Sequence, residues 1–145
     1  MLLGTLPMSL PADPEANARL LLVFKRVARF CLAFIWIYLG FVPKLLTPLP
    51  FEQEVVRKTG LYFSSPELTI RVIGIFEIAL GIWLLTGIKE KLACLVTSGF
   101  LIVLMIIAVI VEPMLLAGPF GGIAKNSAVL VLAWMIWRIA SLKEE

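Results

Sequence analysis

The chain has 145 residues, of which 61% are hydrophobic, and a net charge of +3. Its mean hydropathy is +1.01, whereas an average soluble domain is about 45–50% apolar even when glycine is counted. These values exclude an ordinary soluble enzyme and predict a membrane protein. The basic residues are scattered along the chain, so the charge does not indicate a nucleic-acid partner, and the expected partner is the lipid bilayer.

The order of apolar and polar stretches predicts one membrane domain over residues 27–142, preceded by a tail and the start of the first helix over residues 1–26. Residues 1–18 are mixed and proline-rich, so we expect a flexible tail, and they do not fit a signal peptide. Lys and Arg are more numerous beside the termini and in the second loop than in the other loops, which places both termini in the cytoplasm. Apolar stretches of about 20 residues, long enough to cross a bilayer, predict spans at about 27–46, 68–86, 92–111 and 123–140.

Cysteine and histidine content limits the chemistry of the chain, which has two cysteines and no histidine. Without a Cys-x-x-Cys motif it lacks a dithiol redox site, and without histidine it cannot form a bis-His haem site or most zinc sites. Cys31 and Cys94 lie in apolar runs, so both are predicted to be buried small hydrophobic residues. We therefore expect no catalytic residue, no metal site and no enzymatic activity of the isolated chain.

The first predicted span carries a polar residue near its end. Trp36, Gly40 and Lys44 recur every fourth residue and so share one helix face. Pro43 has no backbone donor, which leaves the carbonyl of Leu39 without its helical partner and predicts a local kink.

A short amphipathic helix is predicted between the first and second spans, from Phe51 to Gly60. Glu54 and Lys58 are spaced to form an i,i+4 ion pair, and Gly60 can end the helix. Such a segment is expected to lie on the membrane surface or to cap the bundle.

Glu77 lies in the middle of the second predicted span. A carboxyl group in hydrocarbon costs roughly 2.5–3.5 kcal/mol on insertion scales, so it is normally turned toward protein and given a partner. Gly74 and Gly81 lie on the same face as Glu77, and small residues allow close approach of another helix. The span is predicted to begin with a capping box formed by Ser64 and Glu67.

The polar residues of the first, second and fourth spans are predicted to converge in the outer half of the bundle. Glu77 lies roughly 13 Å, Lys44 about 3 Å and Asn126 about 5 Å below the outer ends of their spans, and long side chains bridge much of the remaining gap. Such a cluster can be a buried ion pair of Glu77 with Lys44 or Lys125 that fixes helix register, a pocket for a ligand head group or proton, or a contact with a partner subunit. Glu112, at a helix end before Pro113, is predicted to be solvated. The candidate ligand-binding residues are Lys44, Glu77, Lys125 and Asn126, with Tyr38 and Trp36 expected to wall the site.

Three motifs in order resemble a known family. They are WIYLGFVPKLL at residues 36–46, GIFEIALGIWLL at 74–85 and PFGGIAKN at 119–126. Together they resemble the DoxX-like family of small four-span membrane proteins. The resemblance implies an all-α transmembrane four-helix bundle with a short interfacial helix after the first span, located in the bacterial inner or plasma membrane.

The resemblance also implies a link to membrane redox complexes, with Lys44, Glu77, Lys125 and Asn126 at the family's recurrent polar positions. Three functions follow as alternatives. The first is an accessory subunit that binds a quinone or lipid-like ligand and has redox-complex subunits as partners. The second is a structural or assembly subunit, or a homo-oligomer, without a ligand. The third is a small proton-linked transporter that uses Glu77.

Overall fold

The computed structural model describes residues 13–116 and 122–142, and within these residues every regular element is helical. The prediction of an all-α protein is therefore confirmed. Five α-helices follow in the order α1 (Pro14–Phe41), α2 (Pro50–Thr59), α3 (Pro66–Thr86), α4 (Glu90–Val111) and α5 (Gly122–Ser141), with a π-helical turn at Val42–Leu46 and a 3-10 turn at Pro113–Leu116.

The first helix begins well before the predicted span. Asp13 is its N-cap, with a side chain that accepts a hydrogen bond of 2.9 Å from the backbone of Glu15, and Pro14 occupies the first helical position. Proline at this position costs no hydrogen bond because its missing N–H has no helical partner. The prediction of a flexible tail is therefore wrong for residues 14–18, while residues 1–12 lie outside the described residues.

The kink predicted at Pro43 is present as the π-helical turn that follows α1. Thr47 donates its backbone N–H to the carbonyl of Val42, five residues earlier, at 3.0 Å. The carbonyl of Leu39, which cannot bond to Pro43, instead accepts a hydrogen bond of 3.2 Å from the ammonium of Lys44. The kink thus folds the Lys44 side chain back along the end of α1.

Helix α2 agrees with the predicted amphipathic segment and ends at Gly60, whose φ of 68° is left-handed. The predicted pair between Glu54 and Lys58 is wrong. Glu54 pairs with Arg57 at 2.5 Å, whereas Lys58 reaches Glu112 at the end of α4, at 2.6 Å. Glu112 is therefore an ion-pair partner rather than a simply solvated helix end.

The start of α3 differs by one residue from the predicted capping box. Ser65, not Ser64, is the N-cap, and its hydroxyl accepts a hydrogen bond of 3.1 Å from the backbone of Leu68. Glu67 is consequently one position too early to complete a capping box, and it pairs with Arg71 one turn later at 2.8 Å.

Helices α1 and α3 run antiparallel and touch at their backbones through glycines. A methyl group on Gly74 would lie 2.7 Å from the carbonyl oxygen of Gly40, and one on Gly81 would lie 2.6 Å from Ile37 Cγ1 and 2.9 Å from the carbonyl oxygen of Ala33. All three distances are shorter than real Cβ atoms show. The stripe of small residues around Glu77 therefore brings α3 against α1.

The core lies where α1 packs on α3 and α5, and where α4 packs on α5. Three aromatic rings connect α1, α4 and α3, because Phe100 lies 6.0 Å from Trp36 and 4.8 Å from Phe76 between ring centroids. Cys94 is buried in this core as predicted, but Cys31 is exposed on α1, so its predicted burial is wrong. Helices α3 and α4 touch each other less extensively than α1 and α3 do.

Two helices, α3 and α4, are long and apolar enough to cross a membrane, with mean hydropathies of 2.0 and 3.0 over their most apolar windows. Within the described residues α1 and α5 do not meet the same criterion. Large apolar side chains are exposed on all four long helices. Examples from each are Phe34, Ile75, Leu95 and Trp134.

Candidate functional site

Lys44 is the centre of a buried cluster of charges. Its ammonium nitrogen lies 2.9 Å from Oε2 of Glu77 and 3.9 Å from Oε1 of Glu52, and it donates a hydrogen bond to the carbonyl of Leu39. The side chains of Lys44 and Glu77 are only 12% and 3% exposed, and that of Glu52 is 29% exposed. One cation therefore lies between a deep carboxylate on α3 and a shallower one on α2.

The local backbone makes room for this lysine. The π-helical turn at Pro43 directs Lys44 toward α3, where Gly74 has no side chain. A methyl group on Gly74 would lie 2.8 Å from Lys44 Cβ, so the glycine leaves space for the lysine stem. The spacing of Gly74 and Glu77, three residues apart, then places the carboxylate on the same face as the ammonium.

Two carboxylate oxygens of the cluster have no hydrogen-bond donor within the described residues. They are Oε2 of Glu52 and Oε2 of Glu77. Oε2 of Glu77 nevertheless lies 2.9 Å from the Lys44 ammonium and forms an ion pair with it, so Oε2 of Glu52 is the oxygen left without a nearby donor. A buried polar atom without a partner costs free energy. Oε2 of Glu52 is therefore an acceptor that a ligand hydroxyl or a water molecule can satisfy.

These charges line a cavity of about 210 Å³, which we call the polar cavity. The structure brings together there the four polar residues that the sequence analysis singled out, and it adds Glu52. Apolar side chains of α4, among them Leu101 and Leu104, form much of the remaining wall. A role of these residues in binding stays a prediction. The polar lining residues are Lys44, Glu52, Glu77, Lys125 and Asn126.

Glu52 is the site residue that the sequence analysis missed. Its signal is present in the sequence, because Val55, Val56 and Thr59 follow at spacings of three, four and seven and therefore share its helix face. An acid at the head of an otherwise apolar face predicts a buried partner. Burial raises the pKa of Glu52, and the positive charges of Lys44 and Lys125 oppose that rise.

The two aromatic residues expected to wall the site lie elsewhere. Trp36 is 2% exposed and belongs to the core beside Phe100. Tyr38 is 49% exposed on the outer surface, with its ring 6.0 Å from that of Phe34. The structure brings neither ring to the polar cavity, which corrects the expectation, because Trp36 faces α4 deeper in the bundle and Tyr38 faces outward.

A second cavity of about 300 Å³, the apolar cavity, lies next to the polar cavity between α2, α3 and α4. Helices α3 and α4 touch each other little, and α2 packs against both of them at this place. The two cavities share four wall residues, and the remaining lining of the apolar cavity is almost entirely hydrocarbon. The shared residues are Lys44, Glu52, Leu104 and Ala108.

Helix α2 is fixed over these cavities at both ends. Near its start, Glu52 contacts Lys44, and near its end, Lys58 pairs with Glu112 at 2.6 Å. The hydrogen bond to Glu112 raises the pKa of Lys58. The predicted surface helix is therefore a cover for the site.

The other end of the bundle holds a separate ion cluster that the sequence analysis did not find. Glu90, at the start of α4, pairs with Lys25 and, at 3.2 Å, with Arg29 of α1. A signal was present in the sequence, because Lys25 and Arg29 lie one helical turn apart and thus share a face. This cluster ties α1 to α4 and is not connected to the cavities.

A sequence model of the DoxX-like family matches residues 33–134, which is more than half of the chain. The matched segment includes every candidate site residue named above. No curated protein and no solved structure gives a significant match to the chain.

Proposed function

The chain belongs to the DoxX-like family of membrane proteins, and from this premise we propose that it binds a quinone or another lipid-like ligand in its polar cavity. In this role it is an accessory subunit that presents the ligand to a membrane redox partner. The proposal combines the buried charge cluster with the redox association that the family resemblance implies.

We place the protein across the membrane with four spans. On this proposal α1 and α5 cross the bilayer beside α3 and α4, because they pack against them and expose large apolar side chains of their own. Trp134 and Trp137 near the end of α5 suit an interfacial aromatic belt. The charge asymmetry of the loops supports cytoplasmic termini in a bacterial inner or plasma membrane, with the cavities in the outer half.

One observation carries the ligand proposal: a buried ion pair with an additional carboxylate adjoins an apolar cavity. A register-fixing pair needs only Lys44 and Glu77. Glu52 adds a second carboxylate, and its Oε2 has no donor among the described residues. Ligand sites typically combine a mostly apolar wall with a few polar groups that fix orientation.

The polar groups of the cavity can hydrogen-bond to both redox forms of a quinone. The ammonium of Lys44 and the amide of Asn126 can donate to a quinone carbonyl. The oxygens of Glu52 and Glu77 can accept from the hydroxyl of a quinol. The electrons would come from a partner subunit, since the sequence has neither a Cys-x-x-Cys motif nor histidine.

The test is to extract the protein in a mild detergent and to identify co-purified small molecules and subunits by mass spectrometry. The decisive variant is Glu77→Gln, and Glu67→Gln is its matched control, because it makes the same change on an exposed residue of the same helix. We expect a quinone or single-chain lipid with the wild type and the control, and several-fold less with Glu77→Gln.

Other outcomes separate the alternatives. A stoichiometric protein subunit without any bound small molecule would favour the structural role. An empty protein that transports protons in vesicles, and loses transport in Glu77→Gln, would favour the transporter. Equal ligand content in Glu77→Gln and the control would contradict binding in the polar cavity.

A further inference from the structure

We infer that the apolar cavity is a second subsite, which holds the single hydrocarbon chain of a neutral amphiphile whose head group lies in the polar cavity. This inference rests on the proposed function and narrows it to one ligand class. Isoprenoid quinones, long-chain alcohols and monoacylglycerols belong to that class.

The wall of the apolar cavity offers a hydrocarbon surface. Its side chains come from the inner face of α2 and from α3 and α4, with Val55, Ile73 and Ile107 as representatives of the three helices. When a hydrocarbon chain packs against this wall, the wall atoms gain dispersion contacts that a gap cannot supply. A hydrocarbon occupant is therefore favoured over a polar one.

The two threonines in this wall do not alter its character. The hydroxyl of Thr59 donates to the carbonyl of Val56 at 2.6 Å. The hydroxyl of Thr69 donates to the carbonyl of Ser65 at 3.1 Å and accepts a hydrogen bond from the backbone of Phe63 at 3.0 Å. Because both hydroxyls are engaged within the chain, their methyl groups complete the apolar wall.

The two cavities adjoin each other, as an amphiphile with a polar head and an apolar chain requires. Lys44 and Glu52 line both of them, as do Leu104 and Ala108 of α4. A head group bonded to Lys44 or Glu52 thus has its chain attached at the entrance of the apolar cavity. At about 300 Å³, that cavity lies at the small end of the range of about 300–1,000 Å³ for ligand pockets, which suits one chain rather than two.

The balance of charges indicates a neutral head group. Two ammonium groups, on Lys44 and Lys125, face two carboxylates, on Glu52 and Glu77, across the polar cavity. These formal charges cancel. A phosphodiester would add an uncompensated negative charge beside two carboxylates, which is unfavourable in a site of low dielectric. A neutral head that both donates and accepts hydrogen bonds has no such cost.

The experiment uses the full chain in lipid nanodiscs and two probes: a benzoquinone ring without a chain, and the same ring with a decyl chain. Binding is measured for the wild type and for Ile73→Trp, which fills the apolar cavity. Ile75→Trp is the matched control, since Ile75 lies two residues away on α3 and is exposed on the outer surface. Both variants experience the same partitioning of each probe into the bilayer.

We expect Ile73→Trp to weaken binding of the decyl probe about tenfold or more, as follows when several methylene groups lose their buried site. Binding of the chainless ring should change by less than about twofold, and Ile75→Trp should resemble the wild type for both probes. If both probes bind the wild type and Ile73→Trp weakens both equally or neither of them, the inference is overturned while head-group binding in the polar cavity remains.

A photoreactive monoacylglycerol with a diazirine on its chain tests the apolar cavity without a quinone. Labelling of α2, α3 and α4 at the cavity wall, reduced by Ile73→Trp but not by Ile75→Trp, supports the inference even if neither quinone probe binds. In that case the quinone proposal alone fails. Labelling confined to exposed residues, or displacement by two-chain phospholipids at equal concentration, overturns the assignment of a single-chain subsite.

Discussion

Replacing Gly74 by alanine should disrupt the packing of α1 on α3 and the site together. The added methyl group would lie 2.7 Å from the carbonyl oxygen of Gly40 and 2.8 Å from Lys44 Cβ. A backbone oxygen cannot rotate away as a flexible side chain can. The helices must therefore separate by several tenths of an ångström, and Lys44 must shift relative to Glu77.

The cost follows from two opposing contributions. Inserting a methyl group into a well-packed contact typically costs about 1–3 kcal/mol. Alanine in a helix interior gains about 0.5–1 kcal/mol over glycine. The net expectation for Gly74→Ala is a loss of up to about 2.5 kcal/mol relative to the wild type, accompanied by weaker ligand binding.

The assay is thermal unfolding in a mild detergent, followed by tryptophan fluorescence, together with binding of the decyl quinone probe. Gly99→Ala on α4 is the control, because a methyl group at Gly99 meets nothing within 4 Å. Only the helix-propensity gain applies there, so the control should be as stable as the wild type or more so. Equal stability of the two variants would refute the inference that α1 and α3 meet at the Gly40–Gly74 contact.

Three further predictions concern the charges of the site. Lys44→Met should destabilise the protein by about 3–5 kcal/mol, the usual cost of leaving a buried charge without its partner. The double variant Lys44→Met/Glu77→Gln should recover most of this loss in an unfolding assay, and a failure to recover it would contradict the pairing. Lys58→Gln should lower stability only slightly, because its pair with Glu112 is exposed to solvent. It should increase hydrogen–deuterium exchange within α2, and unchanged exchange would contradict the inference that this pair holds α2 in place. The pKa of Glu52 is raised in the folded state, so the folded state binds this proton more tightly than the unfolded state. The stability that the proton contributes is present below the ordinary pKa of 4.5 and is lost as the pH rises through the raised pKa. As the pH rises through this range, the unfolding midpoint of the wild type should therefore fall relative to that of Glu52→Gln, and a constant difference would contradict the burial of Glu52.

Helical periodicity predicted that Glu77 faces protein and meets a lysine of a neighbouring span, but it did not choose between Lys44 and Lys125. Gly74 and Gly81 share a face with Glu77, so this face had to meet another helix, and in the structure Lys44 of the preceding helix is the partner. The chemistry of Pro43 also predicted that the carbonyl of Leu39 loses its helical donor. It did not predict that the Lys44 ammonium replaces that donor. These features depend on positions within one helix or on backbone chemistry, which the sequence contains directly.

Local competition explains the errors at helix ends. Ser64 and Ser65 are both good N-caps, and the position of Pro66 at N1 selects the second. At the start of α1, Asp13 is the N-cap and Pro14 is the first helical residue. The sequence analysis missed this start because the segment contains several prolines. In both places several residues satisfy the same rule, and small energetic differences in the folded chain decide between them.

The cavities depend on an arrangement that no single segment contains. Close glycine contacts draw α3 toward α1, while α4 packs mainly against α5, so the two middle helices diverge and α2 covers the space between them. Glu52 enters the site only because α2 lies there, and the pairing of Lys58 with Glu112 fixes it there by connecting residues far apart in the chain. The sequence of α2 predicts an amphipathic helix, but the choice between a membrane surface and this gap is made by the packing of the four long helices. A ligand subsite at this position is thus a consequence of unequal helix packing rather than of any local motif.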